Sequence, residues 1–276
     1  MSCKFPALLI IACILSSCAP KMRITPGELP NVQPPASNLR NDAEGYVQSY
    51  VKEKEFKEIK SGPDYRRLIS MIDRLTKAAG YPPKTFPVHL VDAGDEVNAS
   101  AWNGASIVVY LELLKRVKSD DELATVLGHE IGHIMAKHYK DQQEEKSRAS
   151  AVGIGSSLLG SVAVVAAAAA GLGGSTASMA GDITETASGA IGYGAFVGSF
   201  NRTQEYEADH LGLLIMSEAG YDPNASTRFW DRSAEVFGSS NSSMGAFFST
   251  HPASEDRRKA LKEAMPYALE RYQGKK

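Results

Sequence analysis

Five residues near the middle of the chain, His129-Glu130-Ile131-Gly132-His133, form the pattern His-Glu-x-x-His. On a helix the two histidines lie four positions apart and project from one face, so both imidazoles can reach one metal ion. Histidine nitrogens are ordinary zinc ligands, and Glu130 beside them is placed to take a proton from a water molecule that the metal activates. The pattern therefore predicts a zinc site, with His129 and His133 as ligands and Glu130 as the catalytic base.

The sequence around this pattern predicts a buried helix. Residues 119–122, Ser-Asp-Asp-Glu, match a capping box, and we expect the helix to run to about Lys140. A straight helix would point His138 away from His129, so His138 is left outside the site. Buried polar side chains need partners, and one metal ion would satisfy both histidines and the glutamate. The apolar residues that predict burial are Leu123, Val126, Leu127, Ile131, Ile134 and Met135.

A strand, a turn with Gly104 and a second strand are predicted between residues 97 and 110, just before the motif helix. In its plainest interpretation this is a simple sheet hairpin. An exposed hairpin edge at this point would also allow an extended peptide to pair beside the metal.

A catalytic zinc ion needs three protein ligands and one open position. Residues 201–212 predict a further helix on which Glu205 and Asp209, four positions apart, share a face. Glu205 can serve as the third ligand, and Asp209 can orient a ligand histidine. Ala136 and Tyr139 stand where metzincins need glycine and histidine, which excludes that class. A charged helix face without a metal is the alternative interpretation of residues 201–212 taken alone.

Together these motifs resemble the metallopeptidase family that includes HtpX, BepA, LoiP and the CAAX prenyl endopeptidase, with the lipoprotein LoiP as the nearest type. The resemblance implies a mainly helical α+β fold of the zincin type, with a small β-sheet or hairpin next to the motif helix. It implies one zinc ion per subunit, bound by His129, His133 and Glu205, with Glu130 in catalysis. The matching segments are Asn98-Ala99, Gly104, the His129–His133 motif, Glu205-x-x-Ala208-Asp209, and His251-Pro252 followed by Arg257.

The same resemblance gives expectations for residues outside the motif. His251 is expected near the zinc, where it either donates to the oxyanion or occupies the open metal position in a resting form. Arg257 is expected to pair with an acid such as Asp209 and so to fasten this loop to the site. Asn98 and Ala99 are expected to bind the substrate.

The N-terminus predicts a lipoprotein. Lys4 and an apolar stretch lead to Leu15-Ser16-Ser17-Cys18, which resembles a lipobox, so residues 1–17 are predicted to be a signal peptide. We expect Cys18 to carry the lipid and Ala19, which is not aspartate, to indicate the outer membrane, with the protein facing the periplasm. An ordinary secretory signal with a coincidental cysteine is the alternative.

The remainder is predicted to be a tether and one domain. Residues 18–40 are predicted to be the lipidated N-terminus and an extended tether, because residues 21–37 contain four prolines. Residues 41–276 are assigned to the metallopeptidase domain. Within it, residues 149–200 form an Ala/Gly-rich insert, predicted to be a packed helical hairpin or a lid. Its length alone would permit a membrane span, but its glycines and serines lower its hydrophobicity.

The predicted function is a zinc-dependent endopeptidase that cleaves envelope proteins, with a role in protein quality control that comes from the resemblance. The expected partners are polypeptide substrates, outer-membrane lipid through Cys18, and outer-membrane assembly machinery. A net charge of −2 gives no indication of nucleic acid. One alternative is a lipoprotein chaperone or assembly factor whose zinc site His251 holds shut. Another is a non-catalytic metal-binding lipoprotein, against which the intact Glu130 argues.

Overall fold

The computed structural model describes residues 22–102, 104–144, 200–236, 251 and 254–275. The signal peptide, Cys18, Pro252 and the predicted insert except Phe200 lie outside these residues. None of the described helices is long and apolar enough to cross a membrane. The helices are α1 (Ser37–Glu53), α2 (Pro63–Ala78), α3 (Leu111–Arg116), α4 (Asp120–Met135), α5 (Arg202–Glu218), α6 (Asn224–Val236) and α7 (Glu255–Gln273).

Four short strands form one mixed sheet in the order β1-β2-β4-β3. β2 pairs with β4 in parallel, and the other two pairings are antiparallel. The predicted hairpin is the β3-β4 pair, and it leaves β3 at an edge of the sheet. The strands are β1 (Lys57–Ile59), β2 (Val88–Asp92), β3 (Ala99–Trp102) and β4 (Ser106–Tyr110).

The sheet lies between α1 and the other helices. Side chains alternate along a strand, so neighbouring residues face opposite sides. Val108 and Tyr110 of β4 pack with Val47 of α1, whereas Ile107 and Val109 belong to the main core with the remaining helices. Both faces of β4 are therefore covered, and all five of its residues are buried.

Helix α4 is the centre of the main core. Ser119 caps it, since its Oγ accepts a hydrogen bond from the backbone N–H of Glu122, and every residue from 122 to 135 is buried. The Glu122 carboxylate accepts from the backbone of Lys118 at 2.7 Å, so only half of the predicted capping box forms. The predicted α+β fold, mainly helical with a small sheet beside this helix, is confirmed.

Helices α4 and α5 approach each other so closely that their backbones touch. A Cβ atom added at Gly132 would lie 2.6 Å from the carbonyl oxygen of Ala208, and one added at Gly128 would lie 2.8 Å from that of Gly212. Glycine costs a helix about 0.5–1 kcal/mol relative to alanine, so glycines four apart on one face require a packing reason. Here they let α5 bring its polar side chains onto the two motif histidines.

The motif helix ends earlier than predicted. It stops at Met135, not near Lys140, and Lys137 adopts a positive φ of 59° before a further helical stretch covers residues 138–144. Such a left-handed residue closes a helix in the way that glycine usually does. The break redirects His138, so the prediction that His138 lies away from the site is wrong.

Residues 22–36 lie against the domain and do not lead away from it as the predicted tether would. The backbone N–H of Gly27 donates to Nε2 of His210 at 2.9 Å, and the carbonyl of Gly27 accepts from Arg271 at 2.9 Å. We call residues 22–36 the N-terminal segment. The prolines of this segment predicted an extended tether, but its apolar side chains hold it on the core. These side chains are Ile24, Leu29 and Val32.

Candidate metal centre

Two neighbouring helices bring the predicted ligands together. On α4, Nε2 of His129 and Nε2 of His133 lie 3.0 Å apart. On the first turn of α5, the Glu205 carboxylate has one oxygen 3.4 Å from His133 Nε2 and the other 3.6 Å from His129 Nε2. Asn201 and Gln204 form a reciprocal capping box, which fixes the start of α5 and with it the position of Glu205.

His251 reaches the same point from the other side. Its Nδ1 lies 3.1 Å from His129 Nε2 and 3.1 Å from a carboxylate oxygen of Glu205. Each of the four residues offers one ligand atom, and these atoms lie within 4.8 Å of one another. All four side chains are buried, and the group could hold a metal ion: His129, His133, Glu205 and His251.

Asp209 and Arg257 support this group from behind, as the predicted pairing requires. Oδ1 of Asp209 lies 2.9 Å from Nδ1 of His129, so the carboxylate can hold the nitrogen that faces away from the group. Arg257 donates to both oxygens of Asp209 at 2.7 Å and contacts Glu205 at 2.6 Å. Its guanidinium lies over the ring of Trp230, 4.3 Å from the centroid, which covers it from solvent.

The Glu130 carboxylate faces the edge of the sheet. Its Oε2 accepts a hydrogen bond of 2.8 Å from the backbone N–H of Ala101 on β3. Its Oε1 is buried and accepts no hydrogen bond from the described residues, although Nε2 of His251 lies 3.4 Å away. A buried carboxylate oxygen beside three imidazoles and a second carboxylate fits a metal ion with a water molecule next to it.

The pKa shifts of His133 and Glu205 suit a metal site, where histidines bind as neutral rings and glutamate binds as an anion. Burial works against protonation of His251, but Glu130 and Glu205 outweigh it and raise the pKa of this ring above its usual value. Burial holds the pKa of His133 well below its usual value. Burial works against ionisation of Glu205, but His251 and Arg257 outweigh it and hold the pKa of this carboxyl well below its usual range. Burial raises the pKa of Glu130, against the attraction of His251 and His129.

The predicted substrate residues Asn98 and Ala99 lie at the start of β3, and the structure gives them local partners. The Asn98 side chain accepts from the backbone N–H of Ala99 at 2.9 Å, and the Asn98 carbonyl accepts from Tyr110. The strand residue that touches the Glu130 carboxylate is Ala101, which sequence reasoning missed. The hairpin signal identified the edge strand but not which of its residues meets Glu130.

Sequence reasoning also missed three residues around His133. His138 follows the break at Lys137, and its Nδ1 lies 2.8 Å from Nδ1 of His133. Its Nε2 lies 2.9 Å from the carboxylate of Glu207, a buried residue on α5. Phe200 stacks on the His133 ring, with centroids 3.8 Å apart. Glu207 and Phe200 come from distant parts of the chain, and the contact of His138 with His133 depends on the break at Lys137, which no local pattern predicts.

The model of peptidase family M48 matches residues 64–265, which is more than half of the chain. The chain belongs to peptidase family M48. The matched range includes His129, His133 and Glu205 as well as His251, and the predicted family resemblance is confirmed. The closer likeness to LoiP stays a prediction.

Relatives of this M48 chain include bacterial and mitochondrial proteins. A putative β-barrel assembly-enhancing protease of Vibrio cholerae is 30% identical over 254 residues, which cover 90% of this chain and 50% of that protein. The mitochondrial metalloendopeptidase OMA1 of Schizosaccharomyces pombe is 28% identical over 246 residues, 85% of this chain and 66% of that one. The β-barrel assembly-enhancing protease of Escherichia coli K12 is 29% identical over 188 residues, 67% of this chain and 35% of that one. This M48 chain thus spans about half the length of the Vibrio relative.

Proposed function

We propose that this M48 member is a zinc-dependent endopeptidase that hydrolyses internal bonds of polypeptides. One observation carries the proposal. Two imidazoles and a carboxylate, from His129, His133 and Glu205, converge in a buried group with a further carboxylate, Glu130, beside them. Two histidines and one glutamate are a zinc ligand set of metallopeptidases, and it leaves one position for water or substrate.

The residues of the chain divide the work of hydrolysis. Zinc bound here would polarise the scissile carbonyl and acidify a water molecule. Glu130 would take the proton of the attacking water and pass it to the leaving amine. The backbone N–H of Ala101 holds the other oxygen of Glu130 and so aims the carboxylate. Arg257 and Asp209 keep Glu205 and His129 in place.

The substrate would bind as an extended chain along β3. Within the described residues β3 has a strand neighbour on one side, β4, and its other side faces the group. A peptide added as a strand is held mainly through its backbone, which allows loose sequence preference. This arrangement suits an enzyme that acts on many unfolded or misassembled polypeptides.

The position of His251 indicates a resting state of the enzyme in which this side chain closes the metal site. Its Nδ1 lies among the other donor atoms, which favours a form in which it occupies the position that a substrate carbonyl would take. His251 lies four residues before α7 in the sequence, and Arg257 in the first turn of that helix is fixed to Asp209. Substrate would have to displace this side chain, so the peptidase is latent.

The test of the function is cleavage of casein by the full zinc-loaded chain. We expect cleavage that 1,10-phenanthroline stops and added zinc restores. We expect His251→Ala to cleave faster, by about 10-fold if about nine molecules in ten of the wild type are closed. Cleavage is followed by release of labelled peptides, and zinc content per chain is measured in both proteins.

The outcomes separate the alternatives. Slower cleavage by His251→Ala at unchanged zinc content would show that His251 stabilises the oxyanion and does not close the site. A chain that binds zinc but cleaves casein neither with His251 nor without it would contradict the proposed peptidase. It would favour a chaperone or assembly factor.

We further propose that the enzyme is a lipoprotein of the outer membrane, facing the periplasm, and acts in quality control of envelope proteins. The lipobox-like residues 15–18 support the anchor. The names of two bacterial relatives, β-barrel assembly-enhancing proteases, support contact with machinery that assembles β-barrel proteins.

Cys18→Ser is expected to abolish metabolic labelling with palmitate and to move the protein from the membrane to the soluble fraction of a Gram-negative host. Cys3→Ser removes a thiol from the predicted signal peptide and should leave both properties unchanged. Label that persists in Cys18→Ser would refute the anchor. A wild type without label would indicate an ordinary secretory signal.

A further inference from the structure

Two buried polar side chains next to the metal centre have no part in the mechanism above. His138 and Glu207 are both 0% exposed. The ring of His138 lies between two partners, with Nδ1 2.8 Å from Nδ1 of His133 and Nε2 2.9 Å from Oε2 of Glu207. These contacts form a hydrogen-bond relay from Glu207 through His138 to His133. The relay reaches His133 at Nδ1, the ring nitrogen that faces away from the other donor atoms.

When His133 binds a metal ion through Nε2, the chemistry of the three groups fixes where the protons lie. A carboxylate only accepts hydrogen bonds, so Nε2 of His138 carries a hydrogen and donates it to Glu207. The Nδ1 of a neutral ring is then bare and accepts from Nδ1–H of His133. His133 is left with a bare Nε2, the nitrogen that lies 3.0 Å from His129 Nε2 and 3.4 Å from Glu205.

A metal ion on His133 sets the same arrangement, because a ligand histidine binds as a neutral ring through a bare nitrogen. The Nε2 of His133 faces the other donor atoms, so its Nδ1 carries the hydrogen. The contacts of His138 with His133 at 2.8 Å and with Glu207 at 2.9 Å then each have one donor and one acceptor.

The N-terminal segment binds Glu207, which is the far end of this hydrogen-bond relay. The backbone N–H of Arg23 donates to Oε1 of Glu207, the oxygen that His138 does not use. The Arg23 side chain pairs with Asp141 at 2.8 Å, in the helical stretch that also carries His138. Both oxygens of Glu207 therefore have N–H donors, which leaves the carboxylate one orientation.

We propose that His138 and Glu207 are positioning residues that hold His133 in the metal-binding tautomer. Arg23 of the N-terminal segment completes this hydrogen-bond relay by binding Glu207. The inference rests on the proposed zinc centre. Asp209 does the same for His129 with a single carboxylate. Groups that orient ligand histidines in this way are worth about 10- to 100-fold in metal affinity or activity.

The test is zinc affinity of the full chain, measured by competition with a chromophoric zinc chelator. Glu207→Gln keeps the shape of the side chain, but whichever end carries its NH₂ group faces an N–H donor, that of Arg23 or of His138. We expect zinc affinity to fall by about 10- to 100-fold. His89→Asn is the matched control, since His89 is also buried between carboxylates, Glu44 and Glu58, and should leave zinc affinity unchanged.

A second pair of variants separates positioning from general support of the fold. His138→Asn places an amide oxygen where Nδ1 was and can still accept from His133, whereas His138→Leu cannot. Both lose the bond to Glu207, so a purely structural role predicts equal loss of zinc affinity. We expect His138→Asn to bind zinc at least several-fold more tightly than His138→Leu. This pair decides the question if Glu207→Gln does not fold.

Equal zinc affinity in wild type and Glu207→Gln would overturn the inference and leave the proposed function intact. Equal affinity in the two His138 variants would overturn it as well. A wild type that binds no zinc would refute the proposed function and this inference with it. The two failures are therefore distinguishable from the wild-type titration alone.

Discussion

Replacing Glu130 with glutamine is expected to lower kcat for casein cleavage by a factor of about 100 to 10,000, the usual contribution of a general acid and base. The amide oxygen of the new side chain can still accept from Ala101, so the side chain stays in place. It can no longer take a proton from the attacking water. Because Glu130 is outside the four-residue donor group, zinc content by elemental analysis should equal that of wild type.

The matched control is Glu53→Gln, the same change at an exposed position at the end of α1. It should leave kcat and zinc content unchanged. Substantial activity in Glu130→Gln, with zinc still bound, would remove the proposed proton transfer from the mechanism. Loss of zinc in that variant would instead place Glu130 among the ligands.

Replacing Gly132 with alanine is expected to lower the free energy of unfolding by about 1–3 kcal/mol, as overpacking of a filled core usually does. The added Cβ would lie 2.6 Å from the carbonyl oxygen of Ala208, a backbone atom that cannot rotate away. Helix α5 must therefore move from α4 and carry Glu205 away from the two motif histidines. Zinc affinity should fall together with stability, and chemical denaturation and chelator competition measure the two effects.

Gly45→Ala is the control, because Gly45 also lies inside a helix, α1, but a Cβ there meets nothing within 4 Å. Alanine favours a helix over glycine by about 0.5–1 kcal/mol, so this variant should be slightly more stable than wild type. Similar behaviour of the two variants would show that the close approach of α4 and α5 does not limit the site.

The parts of the fold and site that local patterns encode were predictable. The serine cap and the acidic first turn predicted where α4 begins. Residues with a high preference for β-strands on both sides of Gly104 predicted the hairpin beside it. Spacings of four placed His129 with His133 and Glu205 with Asp209, because helix geometry fixes which residues share a face. The pairing of Asp209 with Arg257 came from the family resemblance.

Features that depend on tertiary packing were not predictable. The break after α4 falls on Lys137, a residue type with no preference for positive φ. Because neither glycine nor proline stands at this position, the sequence gives no signal that the helix ends there. The resulting position of His138 follows from that break. Prolines in the N-terminal segment predicted an extended tether, yet the contacts of Ile24 and Leu29 with the core hold the segment on the domain.

If Cys18 carries the predicted lipid, the docked N-terminal segment limits the distance between the catalytic centre and the membrane. Five residue steps separate Cys18 from Arg23, whose backbone is bound to Glu207. A fully extended chain spans at most about 3.3–3.6 Å per residue, so Arg23 could lie no more than about 18 Å from the anchored cysteine. The catalytic centre would then work close beside the bilayer, on polypeptides that are themselves at the membrane surface.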